Sequence, residues 1–135
     1  MIKLIPGKKG TGKTKILIDH INEASKSSNG SVVCVEKGST VRYSISRKVR
    51  WCDTEYYKVE GYDAFYGFIA GLLASNYDIT DIYVDGIFKI GGRDYNAFGE
   101  MLEKLDKLTA DDSTVTFTVS ADVSELTENV KQFIK

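Results

Sequence analysis

Residues 7–14 read Gly-Lys-Lys-Gly-Thr-Gly-Lys-Thr, which matches the phosphate-loop pattern G-x-x-x-x-G-K-[ST] at every position. This pattern constrains the fold because it works only between a strand and the start of a helix. Both neighbours are present: the apolar run 2–5 precedes the loop, and a helical pattern of apolar residues follows from residue 16. Glycines let the backbone N–H groups turn inward toward an anion, and a helix start adds partial positive charge. A simple Gly/Lys turn without a ligand is the alternative, but it does not explain why loop, spacing and flanking elements agree.

The loop supplies a defined set of candidate binding residues. These are Gly7, Lys8, Lys9, Gly10, Thr11, Gly12, Lys13 and Thr14. Lys13 is placed to reach the β- and γ-phosphates of a nucleotide and so to take part in catalysis, and the Thr14 hydroxyl can bind Mg²⁺.

Composition bounds what else the chain can be. Its 135 residues suffice for one domain with a core, so we expect a single nucleotide-binding domain over 1–135. A net charge of −1 gives no overall attraction to nucleic acid or membranes. Cys34 and Cys52 fit neither a disulfide framework nor a zinc spacing. The longest apolar stretch, 68–74, is too short to cross a bilayer, and no signal region precedes the loop, so we expect a cytoplasmic protein.

Strands and helices alternate along the chain, which predicts parallel βαβ units. We expect strands at 2–5, 31–36, 49–52, 81–85 and 114–119 and helices at 13–27 and 62–75. A third helix is expected after Asp94, which can cap its start, and a short helix ends the chain. The expected fold is therefore three-layer α/β/α with a mainly parallel five-stranded sheet. Alternation at 41–45 further predicts a β-hairpin arm within 41–50. Lys3 indicates that the first strand lies near a sheet edge, where a second copy of the chain can pair to form a homo-oligomer, or that Lys3 is paired.

A second nucleotide signal lies about 70 residues after the loop. Asp85 ends the hydrophobic run Ile82-Tyr83-Val84, which is a Walker B pattern. A carboxylate at the end of a buried strand beside the phosphate loop can hold Mg²⁺. The alternative is an Asp that only caps the following turn.

With the loop at 7–14, Asp85 and the order of elements between them, the chain resembles the P-loop NTPases, and within them the RecA-type (ASCE) ATPases. The resemblance covers most of the chain. It implies the P-loop NTPase fold with sheet order 48–52, 31–36, 80–85, 114–119, 1–5. It also implies ATP and Mg²⁺ as cofactors and hydrolysis at the β–γ bond.

Three further residues are candidates for the chemistry. By the resemblance, Glu36 matches the position of the glutamate that polarises the attacking water; alternatively it only closes a strand at the surface. Ser120 matches the sensor position near the γ-phosphate; alternatively it, or Asp122, shapes the turn. Arg93 follows Gly91-Gly92 and can reach a γ-phosphate within the chain or across a dimer, or it is an ordinary loop residue.

The chain lacks the features of several related classes. It has no N-K-x-D motif, no four-cysteine zinc lid and no Arg-rich lid insertion, unlike Ras-type GTPases, thymidine kinases and nucleoside monophosphate kinases. We therefore expect a Mg²⁺-dependent ATP-binding protein with slow hydrolysis. A small-molecule or nucleoside kinase, with an acceptor pocket near Asp53, Glu55 or Arg93, is one alternative. A non-hydrolysing nucleotide-sensing or partner-binding module is the other.

Residues 37–50 form a basic segment without any acid. The basic residues are Lys37, Arg42, Arg47, Lys48 and Arg50, with the aromatic residues Tyr43 and Trp51 among or beside them. Such a segment can bind nucleic acid through phosphate contacts and base stacking. The alternative is a solvated segment whose charge is balanced by Asp53, Glu55, Glu60 and Asp63.

Overall fold

The strands and helices alternate as the hydrophobic pattern predicts. A computed structural model describes residues 1–134. Its strands are β1 (Ile2–Gly7), β2 (Ser31–Glu36), β3 (Arg50–Asp53), β4 (Ile79–Asp85) and β5 (Thr114–Ser120). Its helices are α1 (Lys13–Ser27), α2 (Tyr62–Ser75), α3 (Ile87–Gly91), α4 (Tyr95–Thr109) and α5 (Glu128–Lys131), and single 3₁₀ turns cover Arg42–Ser44 and Val123–Glu125.

All five strands are parallel, in the order β1-β5-β4-β2-β3. This is the order implied by the resemblance, with β5 between the strand before the phosphate loop and the strand that ends in Asp85. The carboxyl ends of parallel strands all lie along the same side of the sheet. In the register, Gly7 lies opposite Ser120, and Glu36 lies opposite Asp85. The fold thus brings candidate residues from four strands to the carboxyl ends of the sheet.

Helices cover both faces of the sheet and give the three layers. On one face, Leu17 and Ile21 of α1 pack in a buried cluster with Cys34 and Tyr83. The other face belongs to the larger cluster under α2 and α4, where the rings of Phe65 and Phe117 lie 5.9 Å apart. The strand β2 is buried on both faces, as a continuous run of mostly β-branched residues predicts, and β5 is buried on both faces as well.

Two smaller predictions are confirmed. Asp94 caps α4, since its carboxylate accepts a hydrogen bond from the Ala97 amide at 3.1 Å. The strand β1 is at the edge of the sheet and pairs only with β5, and Lys3 on it is exposed. Pairing of a second copy along that edge stays a prediction.

The β-hairpin arm within 41–50 does not form, and that prediction was wrong. Residues 42–44 make a 3₁₀ turn, and β3 instead pairs in parallel with β2. The apolar positions of the segment are buried for another reason: Val41 and Val49 belong to the buried cluster that includes Leu17 and Ile21 of α1. The Asn22 side chain fixes the turn, donating to the Ser44 carbonyl at 3.0 Å and accepting from the Ser46 amide at 2.9 Å.

The helix α3 was not predicted from the sequence. It is bounded by Gly86 and Gly92, whose φ angles of 72° and 89° lie in the region that favours glycine. Within residues 1–134, no helix combines the length and apolar character needed to cross a membrane.

Candidate functional site

The phosphate loop ends in an open helix start. Gly10 and Gly12 have φ angles of 84° and 87°, which turn the backbone into α1. No side chain caps the helix, and its first turn carries no acid. The first backbone bond at this junction runs from the Ile16 amide to the Gly12 carbonyl, at 3.1 Å. The preceding helix-start amides are therefore available to an anion, and the positive end of the helix dipole is not neutralised.

Lys13 lies at the first position of this helix with its side chain turned back over the loop. Only 7% of the residue is exposed, and its Nζ donates to the Lys8 carbonyl at 2.9 Å. Burial lowers the pKa of Lys13, and the nearby Asp85 carboxylate acts against that shift. The ammonium is thus a partly desolvated cation placed directly over the loop backbone.

Asp85 faces two hydroxyl groups. The Thr14 hydroxyl lies 3.3 Å from Oδ1 and 3.4 Å from Oδ2. The Thr118 hydroxyl donates to Oδ1 at 2.7 Å and accepts from the Gly86 amide at 3.1 Å. Thr14 and Asp85, far apart in sequence, bring together oxygen atoms of the kind that could hold Mg²⁺, and Thr118 fixes the orientation of the carboxylate.

These groups open into one cavity of about 500 Å³. It is lined by Lys9, Gly10, Gly12, Lys13, Thr14, Asp85, Gly86, Ile87, Phe88, Lys89, Arg93, Thr118 and Ser120. Four of these side chains are cationic, and Asp85 is the only carboxylate among the described residues that lines the cavity. Such a balance favours a polyanionic ligand. Gly7, Lys8 and Thr11 belong to the loop but are not part of the lining.

Arg93 and Ser120 meet at the rim of the cavity. The Arg93 guanidinium donates to the Ser120 carbonyl and to the Tyr95 hydroxyl, both at 3.2 Å. It also lies over the Phe88 ring, 5.1 Å from its centroid. These contacts hold the arginine against the cavity wall.

Glu36 does not line the cavity. It is 2% exposed, and its carboxylate accepts hydrogen bonds from the Thr40 and Val41 amides and from the Trp51 indole. The strand register puts its backbone beside Asp85, as expected. The side chain, however, holds the start of the 37–50 segment.

Sequence reasoning missed five lining residues, which are Gly86, Ile87, Phe88, Lys89 and Thr118. A signal for Thr118 was present, because polar residues occupy alternate positions 114, 116, 118 and 120 of β5. In a buried strand this period of two indicates a polar face at the site. Phe88 and Lys89 depend on the unexpected helix α3 and left no comparable signal.

The two cysteines are buried and free, and within residues 1–134 no group of three or more His, Cys, Asp or Glu residues could hold a metal ion. A metal at this site would therefore need the phosphate oxygens of a ligand as well as Thr14 and Asp85.

Comparison with known proteins identifies a likeness of fold. No family model matches the chain, and no curated protein matches it. Among solved structures, PCH-2 of C. elegans is similar over 99% of this chain, with a TM-score of 0.55 and 16% sequence identity. The chain spans about a third (34%) of the length of that protein. At this identity the likeness concerns the fold alone, and the parallel sheet fits a P-loop-like fold.

Proposed function

We propose that this chain is a Mg²⁺-dependent ATP-binding protein that hydrolyses the β–γ bond slowly. The observation that carries the proposal is the meeting of Lys13, Thr14 and Asp85 at the uncapped start of α1. Each of the three groups would supply a different part of a nucleotide site, and the fold brings the start of α1 next to the end of β4.

The loop would hold the phosphates. The amides at the start of α1 and the Lys13 ammonium, which needs only to leave the Lys8 carbonyl, would bind the β- and γ-phosphates. The lining lysine Lys9 adds positive charge. Several charge-assisted hydrogen bonds in a partly closed cavity are what phosphate affinity requires.

The residues present fit Mg²⁺. Thr14 and Asp85 are hard oxygen donors that already lie within hydrogen-bond distance of each other. Mg²⁺ usually takes one or two protein oxygens together with substrate phosphates and water, which agrees with the small donor set here. When bound, the metal would offset the negative charge that develops on the phosphates.

The small number of carboxylates in the cavity supports the proposal that hydrolysis is slow. Asp85 is assigned to the metal, and no second carboxylate among the described residues lines the cavity to polarise water. Arg93 and Lys13 would stabilise charge on the transferred phosphoryl group, and Ser120 would contact the γ-phosphate. Water activation by Glu36 stays a prediction.

The same shortage of acids favours a second candidate, a nucleotide-sensing module that binds ATP without turnover. Binding and turnover measured on one preparation separate the two, since the module predicts tight binding with no ADP formed. The kinase hypothesis stays a prediction that acceptor-stimulated ADP release would test. Competition between ATP and GTP would test the expected preference for adenine.

A Lys13→Ala variant tests the proposal. Loss of a charged hydrogen-bonding partner costs about 1.5–3 kcal/mol, so MgATP affinity should fall about 10- to 150-fold in a calorimetric titration. Lys15→Ala is the matched control, because Lys15 lies on the same helix but its exposed side chain pairs with Asp19. The control should bind as the unaltered chain does, and unchanged affinity in Lys13→Ala would overturn the assignment.

A further inference from the structure

The segment 37–50 presents its charge to solvent outside the lining of the cavity. Its five basic residues are all exposed, and Tyr43 beside them is 85% exposed. We call this set the basic surface: Lys37, Arg42, Tyr43, Arg47, Lys48 and Arg50. None of its members lines the cavity. The surface holds five of the 18 basic residues of the chain, which leaves 13 basic against 19 acidic residues elsewhere. The near-zero net charge is therefore the sum of a positively charged segment and an excess of negative charge in the rest of the chain.

The neighbouring acids do not neutralise this surface. Within residues 1–134, the two ion pairs join Lys15 to Asp19 and Lys131 to Glu128. Glu36, which directly precedes Lys37, is buried and accepts hydrogen bonds from the Thr40 and Val41 amides and the Trp51 indole. Asp53, the first acid after the segment, accepts hydrogen bonds from the Gly38 and Glu55 amides, at 2.8 and 2.9 Å. The charges of the basic surface remain available for a partner.

Arg42 and two aromatic rings form a stacked group on the surface. The Arg42 guanidinium lies 4.5 Å from the centroid of the Trp51 ring and 5.4 Å from that of Tyr43. Flat cationic and aromatic groups side by side are what a nucleobase stacks on. This pairing of planar groups with unpaired cations distinguishes the surface from an ordinary solvated basic segment.

The surface is also held in place before any partner arrives. Glu36 binds the Thr40 and Val41 amides and the Trp51 indole, while Asn22 clamps the turn that follows Tyr43. Preformed groups lose less conformational entropy on binding. The fixed backbone of this segment therefore favours binding of a partner at the basic surface.

We propose that the basic surface binds single-stranded nucleic acid. Five cations would contact phosphates, and Tyr43 with Arg42 would stack bases. A duplex fits less well, because the surface offers only a three-residue 3₁₀ turn and no longer helix to enter a groove. A membrane surface also fits less well, because the apolar residues Val41 and Val49 are buried and cannot insert.

The test uses fluorescence anisotropy of labelled oligonucleotides of about 20 nucleotides, as single-stranded DNA and as RNA. Binding should weaken with salt, with a slope of log K against log[salt] no steeper than about −3.5 for five phosphate contacts. Equal binding of DNA and RNA means that backbone and bases suffice, and tighter RNA binding adds a 2′-hydroxyl contact; both support the proposal. No binding at about 50 mM salt would overturn it.

Two variants with matched controls separate stacking from charge. Tyr43→Ala should weaken binding about 5- to 150-fold, whereas Tyr77→Ala, at a tyrosine that is 95% exposed before β4, should not. Lys48→Ala should reduce the salt slope by about 0.7, whereas Lys107→Ala, an exposed lysine of α4, should leave it unchanged. If both members of a pair behave alike, the basic surface is not the site.

Two competing partners are outcomes that overturn the proposal. A duplex of the same sequence bound as tightly as the single strand would exclude base stacking. Binding to vesicles with phosphatidylserine, without binding to oligonucleotides, would indicate a membrane partner. Lys13→Ala should still bind oligonucleotides, so a failure of the ATP proposal and a failure of this one are distinguishable.

Discussion

Glu36→Gln decides whether this buried carboxylate is an anchor or activates water. The substitution keeps the size of the side chain but replaces one acceptor oxygen with an NH₂ donor. In the structure, Oε2 accepts from the Val41 amide at 3.0 Å and the Trp51 indole at 2.8 Å, and Oε1 accepts from the Thr40 amide at 3.0 Å. The glutamine can keep the first two bonds only by turning its NH₂ toward Thr40.

The expected cost follows from that geometry. One backbone donor loses its acceptor, which costs about 1–3 kcal/mol. The two remaining bonds lose their charge assistance, and this is offset because a neutral amide is cheaper to bury than a carboxylate. We therefore expect Glu36→Gln to lower the free energy of unfolding by about 1–3 kcal/mol, a measurable part of the 5–15 kcal/mol typical of a domain.

Urea denaturation measures this change, and Trp51, the single tryptophan of the chain, reports directly on the affected contacts. Glu103→Gln is the control, since Glu103 is exposed on α4 and should shift stability by less than about 0.5 kcal/mol. ATP turnover is measured on the same samples below the unfolding transition. An unchanged urea midpoint together with abolished turnover would refute the anchoring argument and identify Glu36 as the water-polarising residue.

Two further predictions concern the metal site and the thiols. Thr118→Val should lower the affinity for Mg²⁺ in the presence of ATP about 10- to 100-fold, because Asp85 loses the hydrogen bond that orients it; Thr116→Val, on the same face of β5, should not, and equal effects in a magnesium titration would contradict this. Burial is the main cause that raises the pKa of the Cys34 and Cys52 thiols, so both should stay protonated at pH 8 and react with Ellman's reagent only in urea. Rapid labelling of the folded chain would show that burial does not protect them.

Much of the fold could be predicted because its signals are local. The strand–loop–helix order around residues 7–14, the helix from Tyr62 to Ser75 and the Asp94 cap each depend on contiguous residues, and all are present in the structure. The parallel sheet followed from alternating strands and helices, and its order followed from the resemblance. The position of β1 at an edge was indicated by one exposed charge, Lys3.

The errors occur where a short pattern has two physical explanations. Alternation at 41–45 fits a hairpin arm, but it also fits an irregular chain that buries Val41 and Val49 in the cluster with Leu17 and Ile21 of α1. The second explanation applies because Asn22 and Glu36 supply bonds to that backbone from distant positions. No local property of 41–50 reveals those partners.

The sequence alone therefore determined that a glycine-rich loop would stand between a strand and a helix, since glycine conformations and helix starts are set by neighbours in the chain. Only the tertiary structure decided which groups line the cavity beside that loop. In the folded chain, the Thr118 hydroxyl donates to Asp85, and residues of α3 line the cavity together with Arg93. The Glu36 carboxylate binds backbone amides of the 37–50 segment and the Trp51 indole. These choices depend on hydrogen bonds between residues far apart in sequence, and their partners are fixed only when the strands pack side by side.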